Sequence, residues 1–239
     1  MNQPQLQLQL QLRALAPSLW VVDGVDIALP GRIYFPLRMT IVETQPGELL
    51  LYSPIALDDE LTREISKLGK VSHLVAPNTF HTLFANAAKQ RFPDATLWAS
   101  SVTKDKHKHL KVDSVVTENT PNPFGGATRC LQVPSKFGEL TLFHDVSASL
   151  VVCDLVFNIA PKNWITGLVL RAVGCNNKLG QSRFWRRAVR DRAQTRHAVE
   201  QIVSQPFKRL IPAHGAIVDD NAAPRLREAM SWMLDPTKG

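Results

Sequence analysis

The first half of the chain alternates short apolar runs with segments of helical periodicity. The runs RMTIVE and ELLLYSP flank the turn residues QPG, which predicts a β-hairpin. DDELTREISKLG has a capping aspartate, an acidic first turn, one apolar face and a final glycine, which predicts a helix. VSHLVAP, HTLFANAAKQRF and TLWAS then predict a strand, a helix with Leu83, Phe84 and Ala87 facing inward, and a strand. This β-α-β-α-β order predicts a parallel sheet covered by helices.

The second half of the chain predicts a further hairpin and mostly helical segments. GELTLFHDVSASLVVCDLVF forms the hairpin, with its turn near Asp145 to Ala148, and RLIPAHG is a short strand that runs into a loop. The N-terminal stretch MNQPQLQLQLQLRALAP alternates Gln and Leu, which fits either a half-buried strand or a low-complexity tail. We expect residues 1–18 to form a flexible tail and residues 19–239 to form one α/β domain.

Composition indicates a soluble globular protein. The chain has 239 residues, of which 44% are hydrophobic and 21% are charged. It contains neither an apolar run long enough to span a membrane nor the pattern of a signal peptide, so we expect a cytoplasmic protein without a membrane partner. The cysteines Cys130, Cys153 and Cys175 are too dispersed for a disulfide framework or a thiolate zinc site, and we expect free thiols.

The net charge of +7 favours an anionic partner and is concentrated in two basic runs, KDKHKHLK and RFWRRAVRDRAQTR. If Phe184 to Val203 is a single helix, Arg192 projects into its apolar arc. A guanidinium in that position needs either a structural carboxylate or carbonyl, or an anion bound in a pocket. The basic runs carry no nucleic-acid-binding motif and few aromatic residues. We therefore expect them to form a solvent-exposed surface that does not bind nucleic acid.

Polar side chains follow several predicted strands. His81 comes after HLVAP, Asp154 closes SLVVCD, and His214 follows RLIPA. Ligands bind at the carboxyl ends of parallel strands in α/β folds, and these residue types suit a metal ion. His144 is a fourth candidate, but its position relative to Asp154 depends on a strand register that the sequence does not give. The alternative for each residue is a structural hydrogen bond, or for His144 a place on the surface beside a turn.

The stretches GELLLYSP, HLVAPNTFHTLF, SLVVCDLVF and RLIPAHG resemble, in order and spacing, the metallo-β-lactamase fold superfamily. LYSPIALDDEL, VAPNTFH, DLVFNI and AHG are similar to a branch of that superfamily labelled a domain of unknown function. The resemblance covers the chain from about Leu19 to Leu234. It implies an αββα sandwich with a metal site at one edge, and hydrolysis or, in some branches, redox chemistry.

The metal motif of this superfamily is only partly present. Where the motif reads His-x-His-x-Asp-His, this chain has Pro-Asn-Thr-Phe-His-Thr, which puts His81 at the position of the aspartate. Ser53-Pro54 replaces the Asp-x-Gly turn, and the Gly-His turn is replaced near Ser135. Asp154 matches the bridging aspartate, and His214-Gly215 matches the last ligand with its glycine.

The resemblance and its departures lead to two hypotheses. In the first, the protein is a hydrolase-like enzyme that binds one zinc, iron or manganese ion through His81, Asp154 and His214, with His144 in reserve. Asn78 would then orient a small, anionic substrate or donate to a developing oxyanion, and Arg192 would line the pocket. In the second, the protein binds no metal and recognises a ligand or a partner without chemistry. The oligomeric state is open in both.

Overall fold

The computed structural model describes residues 10–117, 120 and 122–235. Most of the predicted N-terminal tail, residues 1–9, therefore lies outside the described part of the chain. The strands are β1 Leu12–Ala16, β2 Leu19–Asp23, β3 Ile27–Leu29, β4 Ile33–Phe35, β5 Arg38–Gln45, β6 Glu48–Tyr52, β7 Lys70–Ala76, β8 Thr96–Ser100, β9 Ser114–Val116, β10 Thr128–Val133, β11 Glu139–His144, β12 Ser149–Val152 and β13 Arg209–Pro212. The helices are α1 Asp59–Leu68, α2 Ala85–Arg91, α3 Ser101–Lys106, α4 Trp164–Val173, α5 Arg183–Arg186, α6 Arg192–Val203, α7 Ala222–Ala229 and α8 Ser231–Leu234.

The strands form two large sheets and one small hairpin sheet. The first sheet has seven strands in the order β1-β2-β5-β6-β7-β8-β9, and the second has four in the order β10-β11-β12-β13. The strands β6, β7 and β8 are parallel, as the β-α-β-α-β pattern predicts, and β9 extends this parallel run without having been predicted. In the second sheet the pair β12-β13 is parallel, and the hairpin β11-β12 is antiparallel. β3 and β4 pair with each other as a separate ribbon.

Three apolar layers show that the two sheets stack face to face. The middle layer joins Leu50, Tyr52 and Val75 of the first sheet to Leu140, Leu142 and Val151 of the second. Outside the first sheet, Leu61 and Ile65 of α1 and Ala85 and Ala88 of α2 pack on Leu49, Leu51 and Leu74. Outside the second sheet, residues of α6, α7 and α8 pack on Phe143, Leu150 and Val152. The result is the predicted four-layer αββα sandwich.

Local sequence chemistry explains where α1 begins and ends. Asp58 caps the helix by accepting a hydrogen bond from the Leu61 N–H at 2.7 Å, and Asp59 and Glu60 occupy the first turn, where negative charge is favourable. Gly69 follows the last helical residue. A Cβ at Gly69 would approach the Gly47 carbonyl oxygen to 2.7 Å, so the chain needs a glycine there.

Two local predictions were wrong. Leu12–Ala16, which were assigned to the tail, form β1, and this strand pairs with β2 at the sheet edge. α2 begins at Ala85 rather than near His81, and its buried residues are Ala85 and Ala88. Leu83 is 67% exposed and Ala87 is also exposed, because the turn that precedes α2 shifts the phase of the helix.

The two sheets are tied together at the edge where β6, β7, β12 and β13 end. The Tyr52 hydroxyl donates to the Leu140 carbonyl oxygen at 2.6 Å, and the Leu140 N–H donates to the Pro77 carbonyl oxygen at 2.8 Å. The buried guanidinium of Arg38 donates to the carbonyl oxygens of Pro212 and Gly215 at 3.1 and 2.6 Å. These bonds fix the loops that follow the four strands. Among the described residues, no helix has the length and apolar character needed to cross a membrane.

Candidate metal centre

The polar residues that the sequence analysis singled out collect at this tied edge. Ser53 follows β6 with a positive φ of 56°, and Asn78 and His81 lie in the loop after β7. Asp154 lies just beyond β12, and His214 just beyond β13. Because β6 and β7 run parallel, and β12 and β13 run parallel, each pair delivers its following loops to the same edge of its sheet.

Three potential metal ligands converge. The Nε2 atoms of His81 and His214 are 2.9 Å apart, and His214 Nε2 is 3.1 Å from Asp154 Oδ1. His81 Nε2 is 3.7 Å from the same oxygen. Donors bonded at about 2.0–2.1 Å to a tetrahedral ion lie about 3.3 Å from one another. The triangle of donor atoms therefore has the dimensions of one face of such a coordination shell.

Each histidine ring is oriented by a contact on its other nitrogen. His214 Nδ1 donates to the Pro36 carbonyl oxygen at 2.6 Å, which leaves the Nε2 lone pair of the neutral ring directed at His81 and Asp154. His81 Nδ1 lies 2.7 Å from the Ser53 hydroxyl oxygen. Burial lowers the pKa of His81, and the repulsion of His214 adds to this, while Asp154 acts in the opposite direction. A neutral, oriented imidazole is the form that binds metal ions.

Asp154 is held as an anion. Burial alone would raise its pKa, but His81 and His214 in their protonated forms attract the carboxylate and donate hydrogen bonds to it, which outweighs burial and lowers the pKa below its ordinary value. Its Oδ2 accepts a hydrogen bond from Asn78 Nδ2 at 2.7 Å. The side-chain oxygen of Asn78 accepts the backbone N–H groups of Phe80 and His81 at 2.8 and 3.1 Å.

The contacts of Asn78 correct the substrate-binding role predicted for it. Its side chain is fully buried, and both ends of its amide are already bonded within the protein. Asn78 therefore couples the loop after β7 to the carboxylate after β12. It positions His81 and Asp154 instead of presenting a donor to a substrate.

The carboxyl group of Glu139 fixes the backbone of the loop that carries Asp154. Its fully buried carboxyl group accepts the backbone N–H groups of Cys153, Asp154 and Leu155 at 2.9, 3.1 and 2.9 Å. Burial and the charge of Asp154 raise the pKa of Glu139 to about 8, although the backbone hydrogen bonds act in the opposite direction. The carboxyl group thus satisfies backbone donors that would otherwise be buried without partners.

Cys153 is a further candidate ligand, since its sulfur lies with His81 and Asp154 in a group of donor atoms within 4.8 Å of one another. However, burial and the nearby carboxyl groups of Asp154 and Glu139 raise the pKa of the thiol well above its ordinary value. A metal ligand is a thiolate, so this environment disfavours the ligating form. The side chain also belongs to the apolar layer between the sheets. His214 is therefore the better third ligand.

His144 does not join the centre. It pairs with Ser149 at the beginning of β12, whereas Asp154 follows the end of that strand. At about 3.3 Å per residue, the two positions are about 16 Å apart along the strand. His144 is fully buried, and its Nδ1 lies 2.7 Å from the hydroxyl oxygen of Ser147 in the hairpin turn. The register that the sequence left open thus excludes His144 from a site with Asp154.

Arg192 does not line a pocket either. Helix α5 ends at Arg186 and α6 begins at Arg192, so the periodicity counted from Phe184 to Val203 crosses a break. Arg192 is exposed; its Nη2 donates to the Trp232 carbonyl oxygen at 2.8 Å, and the guanidinium lies 5.4 Å from the Trp232 ring centre. It connects α6 to α8 by hydrogen-bond and cation–π contacts.

A cavity of about 460 Å³ opens onto the triangle of donor atoms from His81, Asp154 and His214. The polar side chains in its lining are Ser53, His81, Asp154, Ser182 and His214. The remaining lining is apolar and includes Leu29, Phe35, Phe80, Leu83, Phe137 and Phe184. A concave apolar pocket with a few convergent polar groups is the usual form of a small-molecule site. The centre therefore has both a donor set and a space in front of it.

Two kinds of comparison place this architecture among known proteins. Residues 18–105 match the family described as a domain of unknown function, DUF4336. No curated protein matches the chain by sequence. The family match ends before the strands that carry Asp154 and His214, and it covers β2 to β8 with the loop of His81.

Solved structures with the same fold cover nearly the whole chain. A metallo-β-lactamase from Pontibacter korlensis aligns with a TM-score of 0.64 at 16% identity, over 95% of this chain and 100% of the other. The mono-zinc form of metallo-β-lactamase FIM-1 from Pseudomonas aeruginosa gives 0.58 at 12% identity, over 95% and 97%. A metal-soaked flavodiiron core, Flv1 from Synechocystis, gives 0.63 at 13% identity, over 95% and 62%. The chain has the metallo-β-lactamase fold, as its resemblance implied.

Sequence reasoning missed the residues that support the centre. Ser53 was recognised only as a departure from the Asp-x-Gly turn, although its place at a strand end signals a role near His81. Glu139 was recognisable as a lone carboxylate at the start of an apolar strand. The apolar cavity gave no signal, because its lining comes from eight separate stretches of chain.

Proposed function

We propose that the chain is a metal-dependent hydrolase with a single-ion site formed by His81, Asp154 and His214. The observation that carries the proposal is the convergence of two Nε2 atoms and one carboxylate oxygen at 2.9, 3.1 and 3.7 Å from one another. This set has three protein ligands, as catalytic zinc sites commonly do. Two histidines and a carboxylate also suit iron(II) or manganese.

The residues around the centre fit this role. Pro36 and Ser53 orient the two imidazoles, and Asn78 orients the carboxylate, which is how outer contacts usually prepare a ligand set. When bound, such an ion supplies Lewis-acid activation of water and of a substrate carbonyl or phosphoryl group. The apolar walls of the cavity limit the access of bulk water to the centre.

A second candidate function rests on the hydrogen bonds of the same residues. Ser53, His81, His214 and Pro36 form a continuous chain with contacts of 2.7, 2.9 and 2.6 Å. If Ser53 donates to His81 Nδ1 and His81 Nε2 donates to His214 Nε2, every polar atom of that chain is satisfied by protein alone. This supports a ligand-binding protein without a metal.

A reconstitution experiment decides between the two candidates. The purified protein is stripped with a chelator, reloaded with zinc, manganese or iron(II), and assayed with p-nitrophenyl esters. We expect hydrolysis that is restored by one of the metals and is lost in Asp154→Ala and His214→Ala. Hydrolysis that is unchanged in both variants, or absent with all three metals, would contradict the hydrolase and favour the ligand-binding protein.

A further inference from the structure

Apart from an ion at the proposed metal site, the lining of the cavity contains no counter-charge for an anion. Among the described residues that line it there is no lysine or arginine. Its polar side chains lie at or beside the triangle of donor atoms from His81, Asp154 and His214, with the exception of Ser182. The Ser182 hydroxyl oxygen caps α5 by accepting a hydrogen bond from the Trp185 N–H at 3.1 Å. Burial of an anion without a partner is costly, so the cavity favours an uncharged ligand.

The basic runs that suggested an anionic substrate are engaged outside the cavity. Lys106 is exposed, and its ammonium lies 5.3 Å from the centre of the Phe80 ring. Arg183 donates to the Ala172 carbonyl oxygen at 3.1 Å, and Arg192 contacts Trp232. The positive net charge therefore gives no support to an anionic group inside the pocket.

A continuous aromatic wall leads into the cavity. The rings of Phe137 and Phe184 are stacked with centres 5.3 Å apart, and Phe80 meets Phe137 edge-on at 4.9 Å. Phe137 is buried, whereas Phe80 and Phe184 are 48% and 56% exposed. Leu83 lines the same cavity and is 67% exposed. The wall thus runs from solvent to the interior, and a bound apolar chain would cover these exposed side chains.

From this lining we infer that the cavity binds the acyl chain of a neutral acyl ester and places its carbonyl group at His81, Asp154 and His214. The inference rests on the proposed hydrolase function for the reaction, but not for the binding. In the reaction, the oxygen of water forms a bond to the acyl carbon, and the bond from that carbon to the alcohol oxygen breaks. One proton of the water passes to the leaving alcohol, and the second leaves with the carboxylic acid product.

Binding is measured with N-phenyl-1-naphthylamine, a neutral apolar fluorophore, and with its displacement by methyl dodecanoate and methyl butanoate. We expect saturable binding, and displacement by the long ester at a concentration at least about tenfold lower than by the short one. Leu83→Ser and Phe184→Ser should each weaken probe binding about fivefold. The matched control is Val146→Ser, since Val146 is 60% exposed in the hairpin turn at the far end of β11 and β12.

The result that overturns the inference is non-saturable binding, equal displacement by the two esters, or equal binding by the Leu83, Phe184 and Val146 variants. The chelator-stripped wild type separates this inference from the proposed function, because it should bind the probe like the metal-loaded protein while only the loaded protein hydrolyses the ester. If the probe binds as expected but no metal restores hydrolysis of p-nitrophenyl dodecanoate, the apolar binding site is supported and the hydrolase function is refuted.

Discussion

At the scale of single residues, the state of the centre depends on which atom carries each proton. His214 is fixed by the Pro36 carbonyl, which can only accept, whereas His81 faces the Ser53 hydroxyl, which can donate or accept. Metal binding requires the Nε2 lone pairs of both rings, so His81 must then donate from Nδ1 to Ser53. Ser53 therefore sets how readily His81 becomes a ligand.

Ser53→Ala tests this role. Removal of the hydroxyl leaves His81 Nδ1 without its partner, and we expect zinc affinity to fall about tenfold, as for other outer contacts of metal ligands. Affinity is measured by competition with a chromophoric chelator. Ser66→Ala, on the exposed side of α1, is the control and should bind zinc like the wild type. Equal affinity of the two variants would show that Ser53 does not orient His81.

Glu139 gives a prediction on pH dependence. Its pKa is raised to about 8 in the folded protein, so the folded chain holds a proton that the unfolded chain releases near pH 4.5. The contribution of Glu139 to the free energy of unfolding is fully present below the unfolded pKa and is lost as the pH rises through about 8. We expect the free energy of unfolding in urea to fall as the pH rises from about 5 to about 8 and to level off above that.

The Glu139→Gln variant identifies the source of that slope. Glutamine has no ionisable carboxyl group, so this loss of stability with rising pH should disappear. An amide nitrogen would also face backbone donors, and we expect the variant to be less stable at neutral pH by about 1–3 kcal/mol. A slope that persists in the variant would assign the titration to another group.

At the scale of elements, the loop after β13 carries His214 and is shaped by Gly215. Gly215 has a φ of 95°, and a Cβ there would lie 2.0 Å from the Asn158 carbonyl oxygen. The Asn158 N–H in turn donates to the His214 carbonyl oxygen at 3.1 Å. The close approach of these two segments therefore sets the position of the His214 ring.

Gly215→Ala and Gly47→Ala form a matched pair. Gly47 also has a positive φ, of 78°, but no atom lies within 4 Å of a Cβ placed there. Gly47→Ala should cost about 1–2 kcal/mol from backbone strain alone. Gly215→Ala should cost more and should also weaken zinc binding, since the clash displaces the loop. The check is urea unfolding with a zinc titration; equal effects of the two substitutions would refute the account of this loop.

The elements also show how far the sequence predicts this protein. Strand and helix order follows from periodicity and capping, and the strand-end rule brings His81, Asp154 and His214 to one edge. Strand register and helix breaks are harder to predict from the sequence. The pairing of β11 with β12 keeps His144 away from Asp154, and the break after α5 keeps Arg192 out of the pocket. The long-range partners Ser53, Pro36 and Glu139 depend on how the two sheets stack, which local pattern does not encode.

At the scale of the whole molecule, the positively charged side chains lie apart from the cavity at the candidate metal centre. The chain has a net charge of +7, yet the cavity at the centre is lined by apolar side chains and contains no lysine or arginine among its described lining residues. Net charge is a property of the surface and describes solubility and long-range attraction rather than the contents of a pocket. The αββα sandwich places the donor set at its tied edge, where the two sheets together build a site that neither could form alone.

The most direct test of the account is the metal content of the purified protein by plasma mass spectrometry after equilibration with zinc and removal of free metal. We predict about one ion per chain in the wild type, with little or none in Asp154→Ala and His214→Ala. His109→Ala removes an exposed histidine outside the centre and should retain the ion. No bound ion in the wild type after equilibration with zinc, iron and manganese, or equal metal in all four proteins, would contradict a centre built from His81, Asp154 and His214.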